Sequence, residues 1–152
     1  MLLRLPLLLA ALLALLPMQQ AAAQNDGDPE AIARRCVQLV DHRADRSVEF
    51  IADTTEQTIQ RIRRLDAAGA PDERIINTGK AGALVVNRTA RWAIASIDRL
   101  TRHCVRAMID AGATRELVRR VVEATDASKA RIAAASDRAT NAIHMAVREA
   151  LR

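Results

Sequence analysis

The chain contains two cysteines, Cys36 and Cys104, which are the first residues to consider for side-chain chemistry. A catalytic thiol needs a base within hydrogen-bonding reach. His103 is next to Cys104 in the sequence, but successive side chains of a helix point about 100° apart, so its imidazole would point away from the thiol. Two cysteines in an exported protein usually form a disulfide instead. We therefore predict a disulfide between Cys36 and Cys104 and no catalytic thiol.

The histidines His42, His103 and His144 are the next candidates, because imidazole binds metals and acts as a general base. In the helical arrangement derived below, the three side chains fall at different levels along the molecule. They cannot converge on one ligand, so we expect no site built from several histidines.

One local cluster has the residue types of a metal site. It consists of Asp41, His42, Asp45 and Glu49, of which His42, Asp45 and Glu49 share one face of the first helix, its acidic face, at offsets of three and seven residues. Arg43 and Arg46 interrupt the cluster with positive charges that can satisfy its carboxylates. We predict a solvated face here, with a weak metal site as the alternative.

The sequence has no recognisable cofactor motif. Residues 77–82 combine two glycines with a lysine, as a phosphate-binding loop does, but Ala81 stands where such a loop needs Ser or Thr to hold Mg²⁺. Phe50 and Trp92 are the only aromatic residues apart from histidine, which argues against a large aromatic-lined pocket. We expect no cofactor, no small-molecule substrate and no enzymatic activity.

Glycine and proline divide the chain into three segments of about 38 to 40 residues. These residues occur near positions 27–29, 69–71 and 112–114, and helix-start residues follow each of them. The alanine-rich composition favours long helices. We predict an all-α fold, an antiparallel three-helix bundle over 29–152 with local coiled-coil packing and helices at about 29–67, 71–111 and 114–151. Gly79 and Gly82 fall on the buried side of the second helix, where they would either break it or allow close backbone contact.

Helical spacing places the apolar residues of each segment on one side. The predicted stripe of the first helix is Ile32, Cys36, Val40, Phe50, Ile51, Thr54, Thr58 and Leu65. That of the second is Ile75, Gly79, Ala83, Val86, Ala90, Ala93, Ile97, Leu100, Cys104 and Met108. That of the third is Leu117, Val118, Val121, Ile132, Ala139, Ile143, Ala146 and Ala150.

The same arrangement supplies a register for the first two helices. With a turn near residue 70, facing residues have numbers that add to about 140. Cys36 and Cys104 satisfy this condition and lie on their stripes, so the predicted disulfide requires little distortion.

Trp92 is a candidate contact residue for a partner, together with Val85 one heptad earlier. Trp92 lies about 120° from the centre of the predicted stripe, and an exposed tryptophan often anchors an interface. The alternative is that the second helix faces two neighbours and buries Trp92 along the edge of a wide stripe.

Six arginines are candidates for contact with an anion, because the predicted register brings them to one end of the bundle. They are Arg34, Arg35, Arg102, Arg106, Arg119 and Arg120. The alternative is a solvated end in which nearby Glu30, Asp110, Glu116 and Glu123 compensate these charges.

The first 23 residues have the order of a signal peptide. Arg4 precedes an apolar run at 5–16, and the small residues at 21–23 form a cleavage site. The run is shorter than the roughly 20 residues a bilayer requires. We predict a removed leader at 1–23, a short tail at 24–28 and a periplasmic or secreted protein, with an uncleaved anchor as the alternative.

These features predict an exported, non-enzymatic helical protein with an interaction or structural role. The alternative is an amphipathic protein that binds a membrane surface or an anionic polymer, because the formal net charge is +5. The expected partner is a protein or an anionic component of the cell envelope. Export argues against nucleic acid, and the sequence leaves oligomerisation open.

The leader yields the first testable prediction, which is cleavage after Ala23. The intact mass of protein from the envelope fraction should correspond to a chain that begins at Gln24. A mass that includes residues 1–23 would contradict the prediction.

Overall fold

The structure, a computed structural model, describes residues 27–152. Three α-helices occupy this part of the chain, with no strand among these residues: α1 (Pro29–Ala67), α2 (Asp72–Asp110) and α3 (Arg115–Ala150). All three pairs of helices pack against each other. The predicted all-α three-helix bundle is therefore confirmed. The predicted leader at 1–23 lies outside the described residues.

Side chains at the helix starts satisfy backbone N–H groups that have no partner within the helix. The Asp28 carboxylate accepts a hydrogen bond from the Glu30 N–H at 3.0 Å, and Pro29 occupies the first turn. The Thr114 hydroxyl accepts from the Leu117 N–H at 3.2 Å. These contacts explain why α1 and α3 begin where they do.

The first two helices end in the same left-handed turn. Gly69 and Gly112 have φ angles of 63° and 80°, in the region that favours glycine. The following residue reaches back in each case, so that the Ala70 N–H donates to the Leu65 carbonyl at 3.0 Å. The Ala113 N–H makes the equivalent bond at 2.9 Å, and two such turns reverse the chain twice.

Cross-helix contacts establish the direction of each pair of helices. Facing residues of α1 and α2 have numbers that add to about 140, as in the hydrogen bond from Arg43 to Ser96. Contacts between α2 and α3, such as Lys129 with Asp98, give a constant sum as well, so this pair is also antiparallel. Helices α1 and α3 run parallel, because their contacts keep a nearly constant difference of 86 to 90.

The core divides into two apolar clusters along the bundle. The larger contains the fully buried Ile51, Ile62, Ile97, Ile132 and Ile143, and the smaller surrounds the disulfide. Polar contacts lie between them: the Thr101 and Thr125 hydroxyls are 3.2 Å apart, and the Ser128 hydroxyl donates to Asp41 at 2.7 Å. These hydrogen bonds satisfy buried polar groups and align the helices in one register.

The disulfide joins Cys36 to Cys104, with the two Cα atoms 6.0 Å apart. It ties the first part of α1 to the last part of α2, at the end of the bundle away from their connecting turn. The pairing predicted from the register is therefore present.

The predicted burial of Phe50 in the stripe of the first helix is wrong. Phe50 is 53% exposed, whereas Ser47 and Ile51 on either side of it are buried. The buried stripe of α1 passes through Ala44, Ser47 and Ile51, so Phe50 is about 100° away from its centre, on the flank that faces α2.

Helix α2 is continuous through Gly79 and Gly82, so the predicted alternative of a break is wrong. Both glycines are buried against neighbouring helices. A Cβ atom at Gly79 would overlap a methyl group of Val147, and one at Gly82 would overlap the Thr58 side chain. The missing side chains therefore allow close approach of α2 to its two neighbours.

The disulfide is tested by replacing Cys36 and Cys104 together with Ala. In the chain-entropy model, a cross-link over 68 residues constrains the unfolded chain, so the double variant should lose about 4 kcal/mol of unfolding free energy. Thermal denaturation with and without reductant measures the effect. Reductant should destabilise the wild type and leave the double variant unchanged, and free thiols in the oxidised native protein would contradict the pairing.

The close contact between α1 and α2 is tested by comparing two glycine substitutions. In Gly82→Ala the new Cβ would lie 2.9 Å from the Thr58 Cβ, which no side-chain rotation can move, whereas Gly79→Ala meets a Val147 methyl that can rotate away. Overpacking costs about 1–3 kcal/mol, and Ala gains about 1 kcal/mol of helix propensity at either site. Urea denaturation should show Gly82→Ala less stable than Gly79→Ala, and the reverse order would contradict the contact.

Candidate functional site

The acidic face of α1 is held by an arginine from α3. Arg131 donates to Asp41 at 2.9 Å and to Asp45 at 3.1 Å. Arg43, one of the two arginines whose charges were expected to satisfy this cluster, donates to Ser96 of α2 instead. Among residues 27–152, no group of three His, Cys, Asp or Glu residues has the geometry to hold a metal ion. This face therefore joins α1 to α3.

The predicted cluster of six arginines is divided between paired and unpaired side chains. Arg120 contacts Glu30 at 3.0 Å and Arg34 contacts Asp28 at 3.8 Å. Arg119 binds Glu116 at 2.8 Å, and this hydrogen bond, together with the charge of Glu123, raises the pKa of Arg119 above its ordinary value.

The remaining arginines of this end make no such contacts. Arg35, Arg102 and Arg106 are exposed and form no ion pair with any acid within residues 27–152. Half of the predicted anion site is therefore neutralised by its own neighbours.

Trp92 projects from the bundle beside the groove between α1 and α2. It is 59% exposed, and the Arg43 guanidinium carbon lies 5.2 Å from the centroid of its rings. The Arg43 guanidinium is itself held in place, because it donates to the Ser96 hydroxyl at 2.8 Å. The cation over the ring orients the indole without burying it.

Phe50 lies in the same groove, so both aromatic residues of the chain that are not histidine meet at one place. We call this cavity of about 770 Å³ the aromatic groove. It is lined by Arg43, Arg46, Ser47, Glu49, Phe50, Asp53, Arg88, Thr89 and Trp92. Its walls offer two aromatic faces and three guanidinium groups to a ligand.

The sequence contains a signal that Phe50 and Trp92 lie close together. The numbers of Phe50 and Trp92 add to nearly the same value as those of the two cysteines. The register that predicts the disulfide therefore also places these side chains opposite each other. Assigning Phe50 to the buried stripe concealed the juxtaposition.

A second cavity of about 810 Å³ extends the groove towards the turn between α1 and α2. Asp53 lines the first cavity and Thr54 lines the second, and these are consecutive residues of α1. We call the second cavity the arginine groove. It is lined by Thr54, Gln57, Thr58, Gln60, Arg61, Arg64, Pro71, Glu73, Arg74, Asn77, Thr78 and Ala81.

The two cavities form a long surface on one side of the bundle. From Arg43 to Arg64 it extends along roughly 30 Å of α1. Val85, the other predicted contact residue, is 45% exposed and lies on α2 between Trp92 and the residues that line the arginine groove.

Comparisons of the chain with protein-family models, with curated proteins and with solved structures find no match. Within residues 27–152, no helix is both long enough and apolar enough to cross a membrane.

The acidic face is tested by removing its carboxylates separately. Asp41→Ala leaves the buried Ser128 hydroxyl without its acceptor and should lower the unfolding free energy by about 1–3 kcal/mol. His42→Ala combined with Asp45→Ala removes only exposed groups and should change it by less than about 1 kcal/mol. Urea denaturation compares them, and a larger loss in the double variant would show that this face carries a buried or ligand-binding role.

Proposed function

We propose that the protein is a non-enzymatic interaction protein that acts outside the cytoplasm and binds a partner protein through the aromatic groove. The observation that carries this proposal is the exposure of the only phenylalanine and the only tryptophan in one groove. Full burial of a large apolar side chain contributes roughly 1.5–3 kcal/mol, and rings that stay more than half exposed forgo about half of it. The exposure of Phe50 and Trp92 therefore lowers the stability of the isolated bundle but provides apolar surface that a partner protein can cover.

The residue types around these rings support a protein partner. Tryptophan and arginine are enriched among the residues that dominate the binding energy of protein interfaces. In this groove Trp92 stands against Arg43, and Arg46 and Arg88 flank it. The ring is already oriented, which reduces the entropy lost when a partner covers it.

Two other features support a location outside the cytoplasm. The disulfide between Cys36 and Cys104 persists in oxidising compartments. The sequence at 1–23 has the order of an export signal. Export remains part of the proposal, as does the lack of enzymatic activity.

The proposal is tested with a photo-crosslinking amino acid placed at position 92 or 50 in cells that make the protein. Leu84 provides the matched control, because it is a large exposed apolar residue of α2 outside the aromatic groove. We expect one discrete protein adduct from positions 92 and 50 and none from position 84. The partner, identified by mass spectrometry, is then purified for direct titration.

In that titration, Phe50→Ala combined with Trp92→Ala should weaken binding at least about tenfold, because exposed aromatic anchors typically contribute more than about 2 kcal/mol. Leu84→Ala should leave the affinity unchanged. Equal adducts from all three positions, or equal affinities for all variants, would refute a specific contact at the groove.

A further inference from the structure

The interface between α1 and α2 differs electrostatically from the other two interfaces of the bundle. Helices α1 and α3 share ion pairs between Arg120 and Glu30 and between Arg131 and Asp41. Helices α2 and α3 share one, from Lys129 to Asp98. Within residues 27–152, no ion pair joins α1 to α2.

The surface above that interface nevertheless carries many charges. Its six arginines are Arg43, Arg46, Arg61, Arg64, Arg74 and Arg88. None of them forms an ion pair with an acid in the described part of the chain, and only three acids, Glu49, Asp53 and Glu73, line the same surface. The combined surface therefore has a net formal charge of about +3.

This excess of positive charge affects ligand binding much more than it affects the stability of the fold. Exposed ion pairs contribute little to stability, so leaving these arginines unpaired costs the fold little. Charges of one sign along a cleft, however, concentrate the field and attract oppositely charged ligands. The guanidinium fork also binds carboxylates through two parallel hydrogen bonds.

The charged and aromatic groups are arranged in order along the surface. Phe50 and Trp92 mark the aromatic groove, and Arg61, Arg64 and Arg74 line the arginine groove nearer the turn. A ligand that fills both grooves therefore needs apolar groups at one end and negative charges at the other.

We propose that the partner supplies an acidic polypeptide segment that lies along this surface, with apolar side chains against Phe50 and Trp92 and carboxylates at Arg61, Arg64 and Arg74. This assignment rests on the proposed function, which it extends to the chemistry of the partner. A purely anionic polymer would leave the aromatic groove unfilled. A membrane surface is too flat to reach the buried floor of the grooves, where Ser47 and Thr58 lie.

The test uses a synthetic helical peptide of about 20 residues, which spans roughly 30 Å. It carries leucines on one face at one end and glutamates towards the other. The comparison ligands are the same peptide with Gln in place of Glu, an alginate chain as an anionic polymer, and vesicles of phosphatidylglycerol. Binding to the full mature chain is measured at low and at moderate salt.

We expect the acidic peptide to bind, with an affinity that falls as salt increases. Arg61→Gln combined with Arg64→Gln and Arg74→Gln should weaken this binding at least tenfold. The control variant replaces Arg63, Arg91 and Arg138, which lie outside both grooves, so that net charge falls equally. This control should bind the peptide within about twofold of the wild type, because its three replaced arginines do not contact the ligand. Since both triple variants have the same net charge, a difference between them reports the local contact and not the overall charge.

Four results would overturn the assignment: no binding of the acidic peptide, equal binding of its Gln version, equal loss in both triple variants, or tighter binding of alginate or vesicles with the same arginine dependence. The proposed function is tested separately by the crosslink at position 92. If the crosslinked partner binds the wild type and the triple variant of the arginine groove equally well, the acidic segment is refuted, whereas the proposed contact at the aromatic groove is not.

Discussion

The close packing of α1 against α2 in one register determines where every feature of the exposed surface lies. The disulfide from Cys36 to Cys104 fixes that register at one end of the pair. Towards the other end, Gly82 packs directly against Thr58, and an added Cβ atom would force the helices apart. If α1 shifted by one turn along α2, Cys36 could no longer reach Cys104, and Gly82 would no longer lie opposite Thr58. The disulfide and the glycine contact together therefore allow only one alignment of the two helices.

The functional surface is a product of this alignment. Phe50 and Trp92 belong to different helices and meet only because facing residue numbers add to about 140. The hydrogen bond from Arg43 to Ser96 connects the same two helices and holds the guanidinium over the Trp92 rings. Helix α3 supports the pair from behind, where polar contacts such as Ser128 with Asp41 fix its own position. The side chains of the partner-binding face that we propose are therefore positioned by contacts within the bundle itself.

The sequence predicted the architecture well because the decisive signals are local or covalent. Gly69 and Gly112 mark the turns by a backbone conformation that favours glycine, and the two cysteines report the register of α1 and α2 directly. The burial of Phe50 was wrong because a stripe drawn at 100° per residue is too wide to separate a core position from its flank. The pairing of Arg131 with Asp41 and Asp45 was missed because equal helix lengths predict the levels of α1 and α3 but not which of their polar side chains face each other. The arginine excess likewise becomes visible only when ion pairs can be assigned to particular interfaces.

The most direct measurement of this alignment is an NMR experiment on Trp92, which is the only tryptophan and therefore has indole resonances that are assigned without ambiguity. The Arg43 guanidinium carbon lies 5.2 Å from the centroid of the Trp92 rings, so the alignment predicts nuclear Overhauser contacts between the indole protons and the Arg43 side chain. The indole signals should also remain accessible to a soluble paramagnetic agent. Contacts from Trp92 to α3, or to Cys36, which is one heptad before Arg43 on α1, would contradict the register. They would also contradict the groove on which the proposed function depends.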